Sequence, residues 1–325
     1  MIKEHLIPIT SEPQILDFTK KQLEVFWLPT EPKVEKDIQD ILTKLTPQEK
    51  HAVITVLKLF SIYETHAGSE YWGTRYREIT EDETSEFERM ASVFSMFELA
   101  IHGPFYNKIN ELLNLNTKEF YTSYYDDPVL RSRIQKLQEY IDHPNPLVSL
   151  GVFSLIEGVI LYSAFAFLKH FQSTGKNKIL NIIRGINFSV RDENLHSIAS
   201  AWTYVYKRNK IDNTETESYE LIKEAALELL ESEKQIIKLM FSEGEIEGIT
   251  ELQLERFVQS RINICFESLG FPKLFHVEYN PIAEWFYKGI NNFQFNDFFT
   301  GQGREYNRDW SEGDFTWNTP TSELC

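Results

Sequence analysis

LVSLGVFSLIEGVILYSAFAFL, residues 147–168, is long and apolar enough to cross a membrane. Its only acidic or basic residue is Glu157, near the middle, where a charge would be costly in lipid. Nothing else in the 325-residue chain looks membranous. The stretch therefore reads as a fully buried core helix, begun after Pro144 and Pro146 and followed by the STGKNK loop at 173–178. An isolated carboxylate in such a helix must be paired or bound to a metal.

Outward from this helix the apolar period stays helical and strand signals are weak. LTPQEKHAVITVLKLFSIYETHAGSEYW (45–72) opens with Thr46, Pro47 and Glu49, a good start signal. SEFERMASVFSMFELAIHGPFYNKINELL (85–113) is a second run, with Pro104 expected to distort it. Residues 177–208, 216–241 and 249–270 are further periodic stretches. Long helices with short connections indicate an all-α bundle. Residues 1–35, with Pro8, Pro13, Pro29 and Pro32, read as an extended N-terminal arm, 36–299 as the helical domain and 300–325 as a flexible C-terminal tail.

Composition narrows the function. A net charge of −16 argues against a nucleic-acid surface. Cys265 and Cys325 are the only cysteines and form no CxxC, so neither a disulfide framework nor a thiolate metal site is expected, and a reducing cytoplasm fits. The N-terminal MIKEHLIPITSEP has no apolar run of signal-peptide length.

Four helices place a carboxylate on a stripe of apolar, aromatic or small residues. Glu64 lies with Phe60, Ala67 and Tyr71; Glu98 with Phe94, Ile101, His102 and Phe105; Glu157 with Phe153, Ile160, Leu161 and Ala164; Glu193 with Ile186, Ser189, His196 and Ser200. Each is commonplace alone, since Glu is frequent on helix surfaces and Glu–His pairs at helical spacing are usually solvated ion pairs. The spacing joins them. Glu64 precedes Glu98 by 34 residues and Glu157 precedes Glu193 by 36, one helix out and one helix back, twice. Two Glu-bearing helices plus two bearing a Glu and a His form the ligand set of dimetal carboxylate bundles. Mixed carboxylate and imidazole ligation suits redox iron or manganese better than a closed zinc site.

RDENLH (191–196), LKLFSIYETHAG, SLIEGVILYSAFAF and HGPFY together resemble the small, radical-generating subunit of class I ribonucleotide reductase, from about residue 20 to the tail. The resemblance implies a ferritin-like bundle with two metal ions per chain (Fe/Fe, Mn/Mn or Mn/Fe), held by Glu64, Glu98, His102, Glu157, Glu193 and His196. It places the radical on Tyr106. VFWLP resembles the segment bearing the electron-transfer tryptophan, here Trp27, which Asp192 would link to His102. FFTGQGREY resembles the entry to the tail, with Tyr306 as the tail tyrosine. It further implies a homodimer, with no membrane or nucleic-acid partner, whose tail docks on a separate large subunit that reduces ribonucleotides.

Two departures from the family pattern stand out. The family separates its second Glu and first His by two residues; here three lie between Glu98 and His102, and the strict position holds Leu99. Either the helix carries a π-bulge or the ligands lie elsewhere. Glu64 also stands where many members have Asp, which leaves the metal pair open. A ligand-binding oxidase or desaturase on the same bundle would share the metal residues without needing Trp27, Asp192 or the tail. A ferritin-type storage bundle is normally much shorter, and a purely structural bundle would make four buried carboxylates a coincidence.

Overall fold

Prolines and short polar side chains set where the helices begin. Pro13, Pro47, Pro128, Pro146 and Pro281 each occupy the first turn of a helix, where a missing N–H costs nothing. Thr46 and Glu49 form a reciprocal capping box, and Asp127, Asn145 and Asn280 accept first-turn amides. The computed structural model describes residues 7–173, 175–210 and 215–287. In chain order its helices are α1 (Pro13–Glu24), α2 (Ile38–Thr43), α3 (Pro47–His66), α4 (Tyr76–Ile79), α5 (Ser85–Phe97), α6 (Gly103–Leu112) and α7 (Lys118–Thr122). Then follow α8 (Pro128–Ile141), α9 (Pro146–Leu155), α10 (Tyr162–Ser173), α11 (Leu180–Lys210), α12 (Glu215–Met240), α13 (Glu251–Ser268) and α14 (Pro281–Phe286). Among the described residues no strand forms, only an isolated bridge between Ile246 and Ile249.

Three junctions are π-helical turns rather than loops. Ala67–Arg75 carries α3 into α4, Glu98–His102 carries α5 into α6, and Ile156–Ile160 extends α9 as far as Leu161. The expected distortion near Pro104 is the second of these turns. Pro104 has no N–H to return to the preceding turn, and α6 starts afresh around it. Within the apolar segment Pro146–Ser173, residues 147–171 are buried throughout, packed against α11, α12 and α13, as a core helix should be.

In the N-terminal arm, residues 1–6 lie outside the described residues, and residues 13–24 differ from the extended form expected for 1–35. Pro13 starts a 12-residue helix, and Ile15, Phe18, Thr19 and Gln22 form its buried face. The Glu86 carboxylate accepts the amides of Ser11 at 2.5 Å and Glu12 at 3.2 Å, fastening the start of α1, which packs on α5 and α11. Prolines at 8, 29 and 32 flank this helix without entering it.

Candidate metal centre

Glu64 lies in the last turn of α3, Glu98 and His102 lie on one π turn, Glu157 lies on another, and Glu193 and His196 lie in the middle of α11. All six converge in the core and none is more than 5% exposed. They fall into two overlapping sets, Glu64–Glu98–His102–Glu193 and Glu98–Glu157–Glu193–His196, whose ligand atoms lie within 4.8 Å of one another. Glu98 and Glu193 belong to both. Leu99, the residue at the strict family spacing, is 43% exposed. Of the two readings left open by the sequence, the helix is indeed π-helical here, and the turn keeps Glu98 and His102 together.

The contacts inside the cluster do not close as hydrogen bonds. His102 Nδ1 lies 3.0 Å from Glu193 Oε1, 3.1 Å from Glu98 Oε2 and 3.2 Å from Glu64 Oε2. One ring nitrogen offers a single proton or lone pair and cannot serve three oxygens. His196 Nδ1 is 2.6 Å from Glu98 Oε1. Glu64 Oε1, Glu98 Oε1, both Glu193 oxygens and His196 Nδ1 are buried without a well-formed hydrogen bond. Such groups are expensive to bury unless a cation binds them. Two divalent ions would balance four carboxylates, so the donor set fits a dimetal centre.

The protonation pattern has the same cause. Burial pushes the Glu64 and Glu157 carboxyls well above their ordinary range, and the charges of Glu193 and Glu98 add to the push. Burial acts on Glu98 too, but the imidazolium charges of His102 and His196 outweigh it and hold Glu98 low. Burial disfavours the His196 cation, yet Glu98 and Glu193 bring it up to about 9.

A chain of polar contacts leads outward. His102 Nε2 lies 3.2 Å from Asp192 Oδ2, and Trp27 Nε1 donates to the same oxygen at 2.8 Å. Arg191 Nε donates to Asp192 Oδ1 at 3.1 Å and Arg191 Nη2 to Val25 O at 2.6 Å, tying the Trp27 segment to α11. Tyr106, one helical turn beyond His102, is fully buried. Its ring stacks on Phe60 at 4.4 Å and leans on Phe105 at 4.9 Å. Burial, then the Glu64 charge, keeps its phenol protonated, with Ser189 the polar side chain beside it. Tyr306 lies outside the described residues.

Two partners of the cluster lie outside the ligand set expected from the sequence. Trp72 Nε1 donates to Glu157 Oε1 at 2.8 Å, and Gln22 Oε1 accepts from His196 Nε2 at 3.0 Å. Gln22 was legible in principle, because Ile15, Phe18, Thr19 and Gln22 keep helical spacing after Pro13. Nothing local marks Trp72.

Comparison with known proteins agrees with this geometry. The profile of the family described as ribonucleotide reductase, small chain, matches residues 6–281. The ribonucleoside-diphosphate reductase subunit beta of Mycoplasmoides gallisepticum is 24% identical over 308 residues, covering 92% of this chain and 86% of its own. A probable ribonucleoside-diphosphate reductase small subunit of Invertebrate iridescent virus 3 is 25% identical over 312 residues, covering 90% and 81%. In fold, the chain is similar to the dimanganese(II)-NrdF of Streptococcus sanguinis, with a TM-score of 0.75 at 21% identity over 87% of this chain and 98% of that one. A putative class I ribonucleotide reductase of Bacillus halodurans gives 0.76 at 21% identity over 86% and 100%. A profile match over most of its length, on a helical bundle built around four carboxylates and two imidazoles, shows that this chain belongs to the ribonucleotide reductase small-chain family, as a class I small subunit.

Proposed function

We propose that Glu64, Glu98, His102, Glu157, Glu193 and His196 hold two metal ions, manganese, iron or one of each, and that the oxidising equivalent gathered there is stored on Tyr106. The observation that carries the reading is the pair of overlapping ligand sets sharing Glu98 and Glu193, with His102 of one set in contact with Asp192 and, through it, Trp27. When bound, the metals supply one-electron oxidation driven by oxygen or a species derived from it. Tyr106 would supply one electron and its hydroxyl proton to that oxidant, since burial keeps the phenol neutral until then. Phe60 and Phe105 exclude water from the ring and protect the radical. His102, Asp192 and Trp27 then form the outward route, with Asp192 accepting from both neighbours and Arg191 holding its carboxylate ionised.

The tail of residues 300–325, including Tyr306, docks in this reading on a large subunit that reduces ribonucleoside diphosphates. The small subunit acts as a cytoplasmic homodimer. Reconstitution of the metal-free chain with manganese or iron in air tests the core of this. Two ions per chain and a tyrosyl-radical resonance are expected, with Tyr106→Phe keeping the ions and losing the resonance. Failure to bind stoichiometric metal refutes the site. An unchanged radical in Tyr106→Phe moves it to another tyrosine, and a metal-centred signal with no tyrosyl radical moves the oxidising equivalent off Tyr106.

A further inference from the structure

Arg133 of α8 and Arg261 of α13 are each only 2% exposed, and neither belongs to the ligand sets. Both donate to main-chain carbonyls of the π turn that carries Glu157. Arg261 Nε reaches Gly158 O at 2.9 Å, and Arg133 Nη2 reaches Ile160 O at 2.5 Å. A π turn departs from the α-helical hydrogen-bond pattern, and at Leu161 (φ −91°, ψ −6°) the helix breaks before α10 begins. Buried carbonyls in such a stretch need donors from elsewhere.

Each guanidinium is itself anchored. Arg133 is ion-paired with Glu233 of α12, which accepts from Ser163 Oγ at 2.5 Å, and lies 4.9 Å over the Tyr63 ring. Arg261 lies 3.8 Å over the Tyr162 ring and donates to the Tyr287 hydroxyl and to Asn194 Oδ1, both at 2.9 Å. Asn194 follows Glu193. Arg261 therefore bridges the backbone beside Glu157 and the side chain beside Glu193. Gly158 lets this turn sit close, since a Cβ there would lie 2.3 Å from Cys265 Sγ and 2.6 Å from Ser197 Oγ.

We propose that Arg133 and Arg261 are positioning residues that hold Ile156–Ile160 in its π form and so set the Glu157 carboxylate against Glu98, Glu193 and His196. The proposal rests on reading Glu157 as a metal ligand. A π turn holds one residue more than an α turn. Relaxation to α would rotate Glu157 relative to α10 by about 100°, which takes the carboxylate out of its ligand set.

Two variants test it in the metal-free full-length chain: Arg261→Gln, and Arg133→Met/Glu233→Gln, which removes both charges so that no carboxylate is left buried and unpaired. Manganese(II) binding is followed by the resonance of the free ion, and backbone hydrogen exchange is followed over residues 156–165. In both variants one of the two ions should bind roughly 10- to 100-fold more weakly, with the other unchanged, because only one ligand set contains Glu157. Exchange over 156–165 should accelerate while that of α3 stays as in the wild type. Unchanged affinities, or equal weakening of both ions, overturn the positioning role whatever the exchange shows. If the wild type itself binds no manganese, the metal reading fails, and unaltered exchange in the variants then overturns the clamp on its own.

Discussion

Gly68→Ala should weaken metal binding by forcing two π turns apart. Gly68 lies on the Ala67–Arg75 π turn where it meets the Glu98–His102 π turn. A methyl there would sit 2.7 Å from Glu98 Cβ, 2.7 Å from Leu99 Cγ and 3.1 Å from Leu99 Cδ2. Carbon atoms in contact lie about 3.5–4.0 Å apart, so the two turns must separate by roughly 0.8 Å. The Leu99 side chain is 43% exposed and can swing aside. Glu98 Cβ is fixed directly to the backbone, its own side chain fully buried, and cannot.

Overpacking costs about 1–3 kcal/mol, and replacing Gly by Ala in a helix returns about 0.5–1 kcal/mol. The net destabilisation is therefore about 0–2.5 kcal/mol, a blunt readout. Metal affinity is the sharp one. A shift of this size exceeds the roughly 0.5 Å a functional constellation tolerates, and Glu98 belongs to both ligand sets. Both manganese ions should weaken by at least about tenfold, or 1.4 kcal/mol, in contrast to the single ion affected by Arg261→Gln. Titration of the metal-free chain, read by the resonance of free manganese(II), measures this. Unchanged affinity for both ions would show that the turns do not separate at Glu98. So would recovery of both affinities in Gly68→Ala/Leu99→Ala, because truncating Leu99 relieves its own two contacts and leaves the one with Glu98 Cβ.

Trp27→Phe keeps an aromatic ring near Asp192 but removes its 2.8 Å donor; both ions should still bind, stability measured in urea should fall by about 1–3 kcal/mol, and nucleotide reduction with the large subunit should stop. His196 is protonated up to about pH 9 in the metal-free protein, above its ordinary 6.5. Its contribution to stability is complete below pH 6.5 and lost as the pH rises through about 9, which chelator-treated melts across that window should show. Because a ligand imidazole must shed that proton, manganese affinity should rise with pH over the same interval, and calorimetry in buffers of different ionisation enthalpy should detect proton release. A chain ending after Tyr306 should load metal normally yet give no nucleotide reduction, and a peptide of the last ~20 residues should compete with the intact chain; full activity of the shortened chain would place docking on the folded body.

Much of the bundle is legible in the sequence because helix identity is local. Thr46 and Glu49 announce α3 within four residues, and the carboxylate of Glu157 in an apolar run marks a buried polar site before any partner is known. The 34- and 36-residue separations then pair the helices, since a helix and its return have a length set by the bundle. Trp27 and Asp192, 165 residues apart, are linked in the sequence only by the family resemblance; no periodicity connects them. The turn at Glu98–His102 was visible as a misfit of spacing, but whether the helix bulges depends on what packs against Gly68 and Leu99. Gln22 against His196, Trp72 against Glu157, and the two arginines on the Ile156–Ile160 turn follow the same rule. A hydrogen bond across a core is chosen by which surfaces meet when the helices pack, and neither partner carries a mark of the other in its own few neighbouring residues.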